Sequence, residues 1–317
     1  MGGRGRYAAR RLAIAGPTLL GLSFLVFLLG SLAGDPSGKI AERGLEPGEV
    51  PTTEQIEAVR RELGLDRPVL VQYGEWLGRA ARGDLGRSLI TGLGVTDQIR
   101  GAVPATVGLA ACATVLVVVF AVPLGVAGAM FQGRWWRPVV RLVELAGASV
   151  PGFFLAYVLI YVFAVRLGLL PVTGEVGFKS LVLPSAALAV GPAAVVARLL
   201  ETSVVAQLGE DYARTARAKG LSHAAVVMSH ALRNALLPVV TVLGSILARL
   251  LEGAVVTELV FGRSGIGNLT LQAAGSSDYP LTQGVVLFAG LVVIVFNLLV
   301  DLTYPRLDPR VRLGVAR

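Results

Sequence analysis

The chain has 317 residues, 54% of them hydrophobic and only 16% charged, with a formal net charge of +8. That balance is too apolar for an ordinary water-soluble domain and points to an integral membrane protein. The sole cysteine, Cys112, excludes an intramolecular disulfide and reads as a small packing residue among apolar neighbours.

Six stretches are long and apolar enough to cross a bilayer: 12–33, 105–130, 139–165, 181–205, 237–261 and 281–302. The first follows Arg4, Arg6, Arg10 and Arg11 and ends in Ser31-Leu32-Ala33. This is also the pattern of a cleaved signal peptide, but the run exceeds the roughly 7 to 15 apolar residues of a signal core. It is therefore read as a span, and 1–33 as N-terminus plus first helix.

Residues 34–104 form the one sizeable segment between spans. Gly34, Pro36, Gly38, Gly44, Pro47, Gly48 and Pro51 mark an irregular linker. Thr52 and Gln55 then make a capping-box pattern, and Ile56, Val59 and Leu63 recur at helical spacing. Val69, Tyr73, Trp76, Leu77 and Ala80 do the same after Pro68. The spacing predicts two short amphipathic helices, open to two uses: a cap packed on the bundle, or a docking surface for an outside partner.

The remaining spans fall in 105–305, with a polar loop at 206–236, and 306–317 forms a tail. Arg134 and Arg137 lie between spans two and three, Arg214, Arg217, Lys219 and Arg233 between four and five, and Arg306, Arg310, Arg312 and Arg317 after six. By the excess of Lys and Arg on one side, these faces and both termini are cytoplasmic and 34–104 is extracytoplasmic. The positive charge is thus topological and implies no nucleic-acid partner. Trp135 and Trp136 fit an interfacial aromatic belt.

Within the polar loop, Asp211-Tyr-Ala-Arg-Thr-Ala-Arg-Ala-Lys-Gly220 reads as a short surface helix. Gly220 suits the left-handed stop past its end, and Ser222 is placed to N-cap the next helix. His223 and His230, seven apart and read as one helix face, lack a third ligand for a metal. No phosphate-binding Gly-x-x-x-x-Gly-Lys-Ser/Thr loop, His-Glu-x-x-His pattern or Ser-His-Asp set occurs, so neither an enzyme nor a cofactor is indicated.

In span five, Thr241, Ser245, Arg249 and Glu252 follow steps of four, four and three and make a polar stripe. Two central charges cost about 5 to 7 kcal/mol on the insertion scale, against about 4 to 8 returned by the apolar residues of the span. The stripe should face protein or water rather than lipid. It is either a lining of the translocation path or an internal Arg249–Glu252 pair. Arg198 and Glu201 in span four are spaced as a second pair.

The segment Asp211 to Leu221, followed by His230-Ala-Leu-Arg-Asn-Ala-Leu-Leu-Pro238, resembles the coupling loop of binding-protein-dependent ABC permeases of the dipeptide, oligopeptide and nickel group. Leu63-Gly-Leu-Asp-Arg-Pro68, Gly83-Asp-Leu-Gly-Arg-Ser88, Thr257-Glu-Leu-Val-Phe261 and Asp308-Pro-Arg310 are similar to further landmarks of that group. The wider permease pattern Glu-Ala-Ala-x-x-x-Gly is replaced here by Arg214-Thr215-Ala216 before Gly220. The resemblance implies an all-α polytopic protein with six transmembrane helices, a helical extracytoplasmic insertion and a cytoplasmic coupling helix. It further implies a multi-pass subunit of the cell (inner) membrane that moves di- or oligopeptides. A second homologous permease, two ATP-binding subunits and an extracytoplasmic solute-binding protein would be its partners. Asp211, Tyr212, Arg214, Thr215, Ala216, Arg217, Lys219 and Gly220 would meet the ATPase, with Ala216 facing its groove. Nickel or another small ligand is the alternative cargo, and ion-coupled secondary transport through Glu252 the alternative mechanism.

Overall fold

The computed structural model describes residues 2–32, 35–42, 49–62, 64–173 and 177–307, and the side chains of these except 2–12, 39 and 300–307. The N-terminal arginines' side chains, Leu63 and the 308–317 motif therefore lie outside the described residues. What is described is helical, with no strand and one isolated antiparallel bridge between Arg87 and Gly94. Among the described residues, five helices are long and apolar enough to span a membrane, or six if one bent pair is counted as a single span.

The helices form two compact units, the first comprising Met1–Pro104 with Gly265–Leu298. It contains α1 (Gly2–Leu32), α2 (Ser37–Glu42), α3 (Thr53–Glu62) and α4 (Val69–Ala80). The start of α5 (Val95–Met130), α12 (Ile266–Gly275) and most of α13 (Tyr279–Leu307) complete it. The expected capping box is present on α3: Thr52 N donates to Gln55 Oε1 at 2.8 Å, and Gln55 N donates to Thr52 Oγ1 at 3.4 Å. The linker is less irregular than expected, because Asp35 Oδ1 accepts Ser37 N at 2.9 Å and starts the single turn and a half of α2. α4 turns its aromatic edge onto α1. Tyr73 Oη lies 2.8 Å from Ser23 Oγ, and Phe24, Phe27, Tyr73 and Trp76 form a ring cluster with centroids 5.2 to 6.3 Å apart.

Asp278 is the polar anchor of this unit. It is 1% exposed, accepts Ser88 Oγ at 2.5 Å and Leu89 N at 3.0 Å, and faces Leu281 N at 3.4 Å in the first turn of α13. One carboxylate thus serves both the loop before α5 and the start of the last helix. Val95, Ile99, Ala102, Ile266, Ala273, Leu281 and Val285 form the apolar core beside it.

The second unit takes in residues 105–264. It holds the rest of α5, α6 (Arg137–Ser149), α7 (Gly152–Leu159) with the π-helical stretch Ile160–Arg166, and α8 (Lys179–Leu208). After these come α9 (Asp211–Ala218), α10 (His223–Val226), a π-helical turn Val227–Ala231 and α11 (Leu232–Val260). α8 is the central helix, burying Ala187, Ala189, Ala193, Ala194 and Ala197. Such small residues let helix backbones approach closely in a bilayer, where lipid tails remove the hydrophobic drive between helices. At Gly125 of α5 a Cβ would meet the Ala197 carbonyl oxygen at 2.5 Å, so the α5–α8 contact requires glycine there.

The third predicted span is not one straight helix. α6 and the α7–π segment are bent by 103°. Pro151 has no N–H to continue the ladder and disfavours a helical residue before it, and Val150 is extended at φ −77°, ψ 124°. The expected Arg198–Glu201 pair is also absent. Glu201 takes Arg137 instead, Nη2 to Oε1 at 2.9 Å, because that cation arrives from α6 across the helix interface. Trp135 and Trp136 stack with centroids 4.0 Å apart and remain exposed.

Candidate coupling surface and polar stripe

α9 begins after the extended residue Glu210, with Asp211 in its first turn, where a negative charge complements the helix dipole. Lys219 N donates to Thr215 O at 3.1 Å, Leu221 N reaches Ala216 O at 3.3 Å, and Gly220 sits at φ +85°. This is the left-handed stop that the sequence foreshadows. Ser222 Oγ then accepts Ala225 N at 3.3 Å and caps α10.

The amphipathic phase of α9 divides the expected contact residues. Ala213 and Ala216 are buried against Val226, Leu208 and Tyr212 of the same chain. Ala216 therefore does not face outward: its methyl belongs to the seat of the helix. Asp211, Arg214, Thr215, Arg217, Lys219 and Gly220 are exposed. Arg214 lies 3.5 Å from Asp211 along the helix, and Arg217 Nη2 donates to Leu208 O at 2.8 Å. The outward face carries three cations and one acid.

Tyr212 plays a part that its spacing did not reveal. Its hydroxyl donates to Gln207 Oε1 at 2.7 Å and accepts Asn234 Nδ2 at 3.4 Å. One phenol thus joins the end of α8, α9 and the start of α11. Gln207 and Asn234 escaped the sequence reading because nothing local marks either as a partner of Tyr212. The two histidines do not share the face an α-helix would give them. A π turn inserts extra residues per turn between them; His223 is exposed, while His230 Nδ1 lies 2.7 Å from Ser229 Oγ. Among the described residues, no group of three or more His, Cys, Asp and Glu side chains could hold a metal ion.

On α11, Thr241 is half-buried and Ser245, Arg249 and Glu252 are exposed. Thr241 Oγ1 bonds Leu237 O at 3.1 Å and Ser245 Oγ bonds Val242 O at 2.8 Å, both within the helix. Arg249 and Glu252 form no ion pair with each other. Deeper in the second unit, Glu258 is fully buried and accepts Thr106 Oγ1 at 2.5 Å.

Residues 121–313 match the family described as binding-protein-dependent transport system inner membrane component. The chain belongs to this family. It is 39% identical over 312 residues to a putative peptide transport system permease protein of Brucella abortus, covering 96% of this chain and 98% of that protein. It is equally identical over 307 residues to the glutathione transport system permease protein GsiC of Escherichia coli, covering 96% and 98%. The fold is that of solved ABC transporter chains. One, from inward-facing MetNI methionine ABC transporter, aligns with TM-score 0.55 and 19% identity over 69% of this chain and 97% of its own. Another, from an amino acid ABC transporter, gives 0.52 and 16% over 67% and 94%. The permease is thus a multi-pass inner-membrane transport subunit that works with other subunits, rather than an enzyme. Membership also sets aside ion-coupled secondary transport as its mechanism.

Proposed function

We propose that this permease imports peptides, pairing with a second homologous permease above two ATP-binding subunits and below an extracytoplasmic solute-binding protein. Its termini and α9 lie on the cytoplasmic side, and residues 34–104 lie outside. The observation that carries this reading is the construction of α9: an exposed, cationic face seated on Ala213 and Ala216 and tied by Tyr212 to the helices before and after it. A short helix so connected can pass a push from an ATPase to α8 and α11. The Arg and Lys distribution supports the orientation, and the names of the peptide and glutathione relatives support the cargo.

The stripe of Thr241, Ser245, Arg249 and Glu252 lines the translocation path in this reading. Exposed charges on a membrane helix require water or a protein partner, and the lack of an Arg249–Glu252 pair leaves both available to a zwitterionic peptide. The test is co-purification with the neighbouring gene products, followed by binding to the solute-binding protein and uptake of dipeptides, tripeptides, glutathione and nickel ions. Peptide uptake that falls in Arg249→Gln and Glu252→Gln at unchanged complex yield is the expected result. Nickel uptake without peptide uptake would overturn the cargo.

A further inference from the structure

α6 buries one residue, and that residue is an acid. Glu144 is 5% exposed, and its Oε1 is enclosed without a hydrogen-bond partner. Across the interface, Glu201 of α8 is 8% exposed and already holds Arg137. Its carboxylate also fills the space beside Gly128 of α5, where a Cβ would lie 2.8 Å from Oε2. The α6 contacts of Arg137 with Glu201 and of Gly147 with Ala194, followed by that of Gly152 in α7 with the Ala187 carbonyl, show that α6 and α8 run antiparallel. In that register Glu144 falls level with the α8 turn that ends at Arg198.

Arg198 is exposed, within electrostatic reach of Glu144, and forms no ion pair among the described residues. Among the described residues, Arg141 is the other free guanidinium near Glu144, one turn back on α6 itself. A buried carboxylate oxygen without a donor has lost its hydration and gained nothing for it. The interface is therefore complete for one acid and incomplete for the other, although a cation for the second lies within electrostatic reach. At Gly147 the two backbones approach closely, with Val190, Gly191 and Ala194 of α8 facing it.

We propose that α6 and α8 form a two-position latch, with Arg137 on Glu201 in the state described here and Arg198 closing on Glu144 in another state of the transport cycle. The pairing exchange gives the interface two discrete arrangements, as switching interfaces require. The latch needs its cation from α8, because a pair with Arg141 would lie within α6 and leave the two helices uncoupled.

The experiment uses the complete transporter in liposomes and reads assembled yield together with ATPase activity stimulated by loaded binding protein. That readout depends on coupling and not on the orientation of the Arg249–Glu252 stripe. Glu144→Gln and Arg198→Gln are each expected to lower stimulated activity several-fold at unchanged yield, with the double variant no worse than either alone. Arg198→Gln is decisive because it removes no ion pair present in this structure. Unchanged activity in that variant overturns the latch, and so does additive loss in the double variant. A loss in Arg141→Gln with none in Arg198→Gln does the same. Should Glu144→Gln fail to assemble, the Arg198→Gln result still decides.

Discussion

Gly220 and Ala216 are close in sequence and do different work. Gly220 sits at φ +85° with open space around it, so Gly220→Val meets no clash and acts only through the backbone, at about 1 to 2 kcal/mol. The complex should assemble normally while uptake drops by roughly tenfold, since about 1.4 kcal/mol is tenfold in an equilibrium. Uptake and yield measured together check this. Ala216→Arg forces a long cation into the 5% exposed seat under α9, where overpacking costs about 1 to 3 kcal/mol. That variant should lose thermal stability in detergent as an isolated subunit, before any ATPase is present. An unchanged melting temperature would contradict the placement of Ala216 against Val226.

At the level of elements, Asp278 makes a sharper prediction than any helix. Asp278→Ala leaves the donors at Ser88, Leu89 and Leu281 without their shared acceptor, and each buried loss costs about 1 to 3 kcal/mol. Asp278→Asn, which keeps one oxygen, should be milder. Limited proteolysis around residues 81–94 should accelerate in the alanine variant and much less in the asparagine one. The contrast explains what could be read from the chain. Capping by Thr52 and Gln55, the stop at Gly220 and the cap at Ser222 are local chemistry within a few residues, and they stand where the residue types put them. Asp278 meets Ser88 across 190 positions, and Arg137 meets Glu201 across 64. No spacing rule connects such pairs. The side on which α9 is buried was equally hidden, since amphipathic phase groups Ala213 with Ala216 but does not say which side meets the chain. The π turn at Val227–Ala231 broke the α-helical phase assumed for the histidines, and Pro151 turned one long apolar run into two helices.

For the whole molecule, orientation and energy coupling are the claims with most at stake. In a Cys112→Ala background, Arg82→Cys should react with an impermeant thiol reagent added outside intact cells, and His223→Cys only after the membrane is opened. The opposite pattern would invert the topology inferred from Lys and Arg. Both positions are exposed in this subunit, so both are suited to labelling. The central claim is that peptide movement through this permease is driven by ATP hydrolysis on separate subunits. Uptake of a labelled peptide into proteoliposomes tests it most directly, with the complex reconstituted whole and again without its ATP-binding subunits. Uptake that requires both ATP and those subunits is the predicted result, whereas peptide accumulation by the two permeases alone, driven by an ion gradient, would contradict it.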